Sequence, residues 1–448
     1  MQYISVSLPG SEDHDNEKIA KENLMEIPGY YEFCCRVKTL SGHTALEKIP
    51  EALVKLNASR PMIITDKGVA GAGLIELVKK AMKKKGAKVT IAAIEDDVPA
   101  DSDVTVVNRI AAVYRKKKCD SIIAVGGGSP MDTAKGVNIL VSMDDTDLMK
   151  FCGAGKVNEK LKPLIAVPTT SGTGSEVTLV AVIADHAKNL KMVFTSYFLL
   201  PDVAVLDSRM TKTLPPFLTA PTGMDAMTHA CEAYTCLGKN PISDTTALIA
   251  IRELSQNLVK SVKKPGDLNS RLALANASNL AGMAFSNAMV GMVHTLGHSI
   301  GAVCHVPHGV CMAILLPYGL EYNMHRSGKQ TGELLWALAG EEEYAATPVS
   351  ERPAKAIQYL RDMNQELHDA AKGGHARFLS EITDREGKQM VPKEAFADIA
   401  RTAIGDGSVV YNPEELSFDD ALMVLEAAWE GVPLDLKKVK KGAKGMKL

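Results

Sequence analysis

SIIAVGGGSPMDTAKG, residues 121 to 136, reads as a buried strand, a glycine turn and a helix in immediate succession. A short β-branched apolar run ending in glycines is the pattern of an interior strand. Gly126, Gly127 and Gly128 let the backbone approach a pyrophosphate closely. Ser129 is placed to cap a helix whose first position is taken by Pro130. The amide groups and dipole of such a helix start favour an anion. The turn is neither G-x-G-x-x-G nor a P-loop, since no Gly-Lys-Ser/Thr follows, and a plain tight turn is the competing reading.

Upstream, PMIIT (61 to 65), VAGAGLIELVKKAMKKKG, KVTIAAI (88 to 94) and VTVVNRIAAVYRKKK alternate strand-like and helix-like patterns. This is the βαβαβ signature of a parallel sheet with helices on its faces, which puts ligands at the carboxyl ends of the strands. Asp66, just past the first of these strands, stands where a carboxylate accepts a ribose 2′-hydroxyl and repels a 2′-phosphate, favouring NAD over NADP. An ordinary turn aspartate would look the same. Downstream, the loop VPTTSGTGSEVT (167 to 178) offers hydroxyls and glycines suited to a ribose and a carboxamide.

From about Leu214 helical patterns take over, with Pro215 and Pro216 as punctuation. The expected architecture is an α/β dinucleotide-binding domain with a parallel sheet (30–212) and an all-α domain (213–448), preceded by an extension (1–29). The cleft between them is the default site. The polar stretch 341–388 reads as a helical insertion or loop excursion, and KKVKKGAKGMKL as a solvated basic tail.

The helical part carries the chemistry. In GMDAMTHACEAY, Asp225 and His229 are four apart and leave one helix face together. In GMVHTLGHSIGAVCHVPHGVCMAILLP stand His294, His298, His305 and His308, four of the chain's eleven histidines. A carboxylate with three imidazoles suits Fe²⁺ and accepts Zn²⁺, Mn²⁺, Co²⁺ or Ni²⁺. Spacing does not choose which histidines would ligate.

At 448 residues, 46% of them hydrophobic, the chain can bury a large core, and a net charge of −2 gives no reason to expect a nucleic-acid partner. The N-terminus lacks the basic region and apolar run of a signal peptide, and no window reaches the ~18 apolar residues of a membrane span. The eight cysteines include no C-x-x-C and read as reduced thiols. A cytoplasmic small-molecule enzyme is expected, without membrane or nucleic-acid partners.

Taken together and in order, GGGSPMDTAKG, PTTSGTGSEVT, GMDAMTHACEAY and the histidine-rich run resemble the iron-containing (group III) alcohol dehydrogenases, over about Tyr31 to Leu320 and again, weakly, around YNPEELSFDDALMVLEAA. The resemblance implies the dehydroquinate synthase-like architecture, with NAD(H) and a metal facing each other across the cleft. It assigns the metal ligands to Asp225, His229, His294 and His308, and gives His298 a part in proton transfer. It implies NAD contacts at Asp66, Gly126, Gly127, Gly128, Ser129, Asp132, Thr169, Thr170, Thr173, Thr178, Lys191 and Leu206, and a substrate pocket at Val180 and Phe285. The implied reaction is hydride transfer between NAD and a small primary alcohol or its aldehyde, in a homodimer or higher homo-oligomer.

A lyase of the dehydroquinate synthase type is the alternative, disfavoured because Ala281 to Leu316 offers no Arg or Lys for an anionic substrate. A non-catalytic scaffold would have no use for the ligand set. The extension exceeds the family's usual start and is expected to serve as an oligomer contact or a targeting helix, with Ile19, Leu24 and Ile27 on one face.

Overall fold

Six parallel strands, in the order Lys38–Ser41, Val203–Leu206, Leu164–Pro168, Ser121–Gly126, Pro61–Ile64 and Ala93–Glu95, form the sheet around which the first half of the molecule is built. The computed structural model describes residues 28–83, 88–188 and 190–439. β1 (Lys38–Ser41) is followed by α1 (Ile49–Lys55), β2 (Pro61–Ile64), α2 (Lys67–Gly71), α3 (Leu74–Met82), β3 (Ala93–Glu95) and α4 (Val104–Lys116). Then come β4 (Ser121–Gly126), α5 (Gly128–Ser142), β5 (Gly153–Ala154), β6 (Leu164–Pro168), β7 (Val180–Asp185), β8 (Leu190–Thr195), β9 (Val203–Leu206) and α6 (Ser208–Thr211). A small second sheet, β5-β8-β7, sits beside the main one.

Alternation along each strand feeds two cores. Met62, Ile64, Ile122 and Ala124 face α4 and α5, packing on Val107, Ile110 and Val137. Ile63, Ile123, Val125, Ile165 and Val167 face α1 and α3, packing on Leu53, Leu74 and Val78. Being buried on both faces, these strands read as continuous apolar runs. From β2 the chain runs outward to β3, and from β4 it runs the other way to β6. The ends of β2 and β4 therefore flank a topological switch point, where such sheets form their ligand crevice.

The second half is helical: α7 (Pro216–Thr235), α8 (Pro241–Lys263), α9 (Leu268–Ala288), α10 (Met292–Cys304), α11 (His308–Tyr322), α12 (Met324–Ala339), α13 (Glu341–Ala346), α14 (Arg352–Ala370), α15 (Phe396–Ile404) and α16 (Phe418–Glu430). Pro215 and Pro216 occupy the N-cap and first position of α7, as their placement in the sequence implies. The stretch 341–388 is both helical and irregular, comprising α13, α14 and a loop closed by the Thr383–Gln389 bridge. Arg271 of α9, 1% exposed, donates to the carbonyls of Pro265 and Leu214 and to Thr219 Oγ1, tying the strap before α7 to the helical core.

Contacts divide the chain at Glu32. Of the first unit only Pro28–Glu32 are described, without helix or strand; Phe33 onward forms the second. The expected targeting face (Ile19, Leu24, Ile27) and the tail from residue 440 lie outside the described residues. No described helix is long and apolar enough to cross a membrane.

Three local expectations need correction. The single helix expected after β2 is broken into α2 and α3 by Gly73, whose φ of +75° a helix cannot continue through. KVTIAAI pairs only partly: Thr90 and Ala92 N–H bond to Ser59 and Pro61 carbonyls, but the regular strand begins at Ala93. Helix α5 starts at Gly128 with Gly127 as N-cap, so Ser129 does not cap it; the Ser129 hydroxyl instead donates to the Ala100 carbonyl.

Candidate active site

At the switch point lies a cleft of about 550 Å³ whose walls include Asp66, Gly127, Gly128, Ser129, Thr169 and Thr170 from the α/β half and Leu214, Pro215 and Leu218 from the start of the helical half. Gly126 ends β4 with no room for a side chain, since a Cβ there would lie 2.4 Å from Pro130 Cγ. The first helical bond of α5 runs from Met131 N–H to Gly127 O (3.3 Å), which leaves the N–H groups of Gly128 and Ser129 ahead of it; Pro130 has none. Asp66 caps α2, its Oδ1 accepting from Val69 N–H at 2.8 Å.

The other expected cofactor residues do not line this cleft. Thr173 lies beside Gly128, its Cγ2 3.3 Å from where a Cβ would stand. Leu206 is fully buried at the end of β9, and Lys191 on β8 is exposed and pairs with Asp101 at 3.7 Å. Asp132 points away from the turn, accepting from Ser175 Oγ (3.1 Å) and Val182 N–H (3.0 Å). Thr178 is buried against Lys135, whose ammonium donates to Ser175 Oγ, Thr178 O, Thr178 Oγ1 and Val180 O at 2.7–3.1 Å. Burial pushes Lys135 down to about 8, against the opposing charges of Asp132 and Glu176. Lys135 therefore anchors the loop between β6 and β7 from beneath.

Deeper in the helical half, α7 presents Asp225 and His229 one turn apart, α10 presents His294, and α11 opens with His308. One ligand-type atom from each of these four lies within 4.8 Å of the others. His229 Nδ1 and His294 Nε2 are buried without a hydrogen-bond partner, and the buried Asp225 Oδ1 faces His308 Nε2 at 3.3 Å and His229 Nδ1 at 3.8 Å. Buried polar atoms without partners are costly, and several converging on one point fit a cation. Burial alone would raise the Asp225 carboxyl, but the adjacent imidazoles outweigh it and hold it well below the usual carboxylate range. Burial lowers His229 to about 3 and His294 well below its ordinary value, keeping both rings neutral with lone pairs to offer.

The remaining histidines separate cleanly. His298, one turn beyond His294, stacks on His308 with ring centroids 5.3 Å apart, and its Nδ1 bonds Asp406 Oδ2 at 3.0 Å. His305 is exposed at the left-handed turn ending α10. Phe285 stacks on His229 at 4.1 Å and 13°, forming an apolar wall beside the cluster. Val180 packs instead in a small cluster with Val177, Leu179 and Met283.

Two participants escaped the sequence reading. Glu232 Oε2 bonds His294 Nδ1 and its Oε1 accepts Val293 N–H at 2.8 Å, fixing the ring so that Nε2 faces the cluster. Burial raises Glu232 to about 7. Its position three residues after His229 within the quoted motif was the available signal. Asp406 had none.

A model of the iron-containing alcohol dehydrogenases matches residues 37–208, and one of the Fe-containing alcohol dehydrogenase family's C-terminal region matches 219–429. The chain is 32% identical to alcohol dehydrogenase 4 of Saccharomyces cerevisiae over 391 residues, 87% of this chain and 96% of the yeast one. It is 33% identical to the 1,3-propanediol dehydrogenase of Klebsiella pneumoniae over 376 residues, 84% of this chain and 92% of that enzyme. Among solved structures, a 1,3-propanediol oxidoreductase superposes with a TM-score of 0.82 at 31% identity, covering 89% of this chain and 100% of that one. These matches favour alcohol–aldehyde interconversion over the lyase alternative. With both family models accounting for most of its length, the chain belongs to the iron-containing alcohol dehydrogenase family.

Proposed function

We propose that this enzyme interconverts a small primary alcohol and its aldehyde with NAD(H), using a divalent metal held by Asp225, His229, His294 and His308. The observation that carries the reading is the convergence of four ligand-type atoms on one point, two of them buried imidazole nitrogens without a partner, in a molecule whose glycine turn opens onto a cleft. Residues 30–212 act as the NAD-binding domain and 213–448 as the metal-binding one. Fe²⁺ is the proposed occupant, with Zn²⁺, Mn²⁺, Co²⁺ and Ni²⁺ as competitors whose availability decides.

When bound, the metal supplies Lewis acidity toward the substrate oxygen, and NAD(H) supplies the hydride acceptor or donor. The chain's residues do the rest. The free N–H groups of Gly128 and Ser129 receive the pyrophosphate, and Asp66, with Oδ2 still free of its capping bond, accepts a ribose hydroxyl. Thr169, Thr170 and Thr173 border the cofactor, with the Lys135-braced loop carrying Thr178 behind them. Phe285 supplies the apolar side of the substrate site beside the ligand cluster, which suits a C2 to C4 chain, in keeping with the propanediol-converting relative. His298, its Nδ1 held by Asp406, moves the alcohol proton from the pocket to solvent through Nε2.

The cytosol is the proposed location, supported by eight unpaired thiols. A homodimer or higher homo-oligomer is supported by the exposed apolar side chains of Ile242 and Ile249, seven residues apart on one face of α8.

The deciding experiment follows NADH oxidation by anaerobically purified protein with C2 to C4 aldehydes, comparing apo with Fe²⁺- and Zn²⁺-reconstituted samples. Metal-restored turnover is expected. NAD binding without turnover under any metal or aldehyde would overturn the reading.

A further inference from the structure

Helix α10 carries His294 and His298 but cannot cap itself: its N-cap residue is Gly291, which has no side chain. Its first N–H groups, buried and without helical acceptors, are taken by two side chains from far away in the sequence. Met292 N–H donates to Asn412 Oδ1 at 3.0 Å, and Val293 N–H to Glu232 Oε1 at 2.8 Å. Asn412 is itself locked. It exchanges two amide hydrogen bonds with Asn323, at 2.9 and 2.8 Å, and donates to Glu414 O at 2.7 Å. Both asparagines are about 5% exposed or less.

The contact has no slack. A Cβ on Gly291 would lie 2.7 Å from Asn412 Oδ1 and 3.3 Å from Glu232 Oε1. Just ahead, Met289 holds φ +74° and ψ −173°, a conformation that side-chain-bearing residues rarely adopt. Such a backbone persists only where its surroundings over-determine it. The turn from α9 to α10, with Phe285 at one end and His294 at the other, is held by Cys236 Sγ on Ala288 O (2.9 Å) and by the Asn412 and Glu232 caps. The neighbouring Tyr411 O accepts Leu237 N–H at 2.9 Å, so the same short segment also fixes the end of α7, the helix of Asp225 and His229.

We infer that Asn412, braced by Asn323, is a positioning residue for the metal centre: an external cap that sets the start of α10 relative to α7 and thereby the aim of His294 Nε2. The YNPEE segment, otherwise without a part in the proposed reaction, acquires one. Asn412 touches neither substrate nor cofactor; it works through the helix that bears the ligand. The inference rests on the proposed metal role of Asp225, His229, His294 and His308.

The test is Co²⁺ titration of the full-length apo enzyme, followed by the visible absorption of the bound ion, for the parent, Asn412→Ala and Asn323→Ala. NAD affinity and apo melting temperature are measured alongside. Asn412→Ala is expected to weaken Co²⁺ about 10- to 100-fold and to shift its absorption band, as changes behind a metal ligand do. Asn323→Ala, which keeps the Asn412 bonds to Met292 N–H and Glu414 O but removes the acceptor of Glu414 N–H (3.3 Å), is expected to lose less in the same direction. NAD affinity stays at the parental value in both. Parental Co²⁺ affinity and spectrum in a folded variant would overturn the inference, whatever happens to the melting temperature. Should Asn412→Ala not fold, Asn323→Ala decides alone. A parent that binds no Co²⁺ would sink the metal reading, and this one with it.

Discussion

His298 Nδ1 is held by Asp406 across 108 residues of sequence, which leaves Nε2 as the only ring nitrogen free to handle a proton. Replacing His298 by Ala should lower kcat about 10²-fold if it transfers protons, the lower range for general acid–base catalysis. Asp406→Asn keeps the shape but loses the charge and should lower kcat by about tenfold with KM for the aldehyde unchanged; steady-state kinetics on both variants checks this. An unchanged kcat in His298→Ala would remove the shuttle. For Asp66 the proposed cofactor contact and the observed cap fall on different oxygens. Its Oδ1 caps α2, and an Asn retains that bond, so Asp66→Asn should leave the melting temperature alone. Losing the negative charge should raise kcat/KM for NADPH relative to NADH by about tenfold, since like charges a few ångströms apart in water-like surroundings cost about 1 kcal/mol per charge pair. An unchanged ratio would mean that Asp66 does not face the ribose. Legibility at this scale follows sequence distance. Helical spacing put Asp225 and His229 on one face but left the ligand set to the resemblance, whereas Asp406 and Asn412 make tertiary contacts that leave no local pattern.

The strands around Ser121–Gly136 were readable because burial on both faces imposes uninterrupted β-branched runs, as in Ile122, Ile123 and Val125. Boundaries were less so. Whether α5 begins at Gly128 or after Ser129 depends on where the Ser129 hydroxyl finds an acceptor, and that acceptor, Ala100 O, comes from another loop. The same holds for the contact that joins the halves. Gly174, at φ +60°, meets α9 so closely that its Cβ would stand 2.7 Å from Gly282 Cα, while a Cβ on Gly282 would stand 2.8 Å from Val177 Cγ2 and 2.9 Å from Gly174 O. Gly282→Ala gains about 1 kcal/mol of helix propensity but forces backbone against backbone, and overpacking costs about 1–3 kcal/mol. The clash should win, because the atoms met include main chain that cannot rotate away. A net loss of about 1–2 kcal/mol is expected, with weaker NAD binding as the loop bearing Thr173 and Thr178 is pushed off α9. Calorimetric melting and an NAD titration read both. A stabilised variant with parental NAD affinity would show that the halves separate freely.

For the whole molecule, opposing buried groups set how stability changes above neutral pH. Cys236 and Cys311 are buried thiols pushed up to about 12, and burial lifts Cys231 further still. An unfolded thiol titrates near 8.5, so above that pH the unfolded chain gives up protons that the folded chain keeps, and stability falls as pH rises. At pH 10 each contributes a loss of about 2 kcal/mol. Lys135 works the other way. Burial lowers it to about 8, against about 10.4 unfolded, so between those values the folded state has already released a proton that the unfolded state holds, and stability rises. Its gain at pH 10 is about 3 kcal/mol, roughly half of what the three thiols together remove. The buried phenols of Tyr234 and Tyr322, both raised chiefly by burial, add to the losing side as pH 10 is passed. Urea unfolding under reductant should therefore show stability declining by about 3 kcal/mol from pH 7 to 10. The decline should flatten in Cys236→Ala/Cys311→Ala and steepen in Lys135→Met, whatever each substitution does to stability at pH 7. A parent whose stability rises toward pH 10 would mean that the ammonium beneath the β6–β7 loop, rather than the thiols of the helical half, governs the alkaline limb.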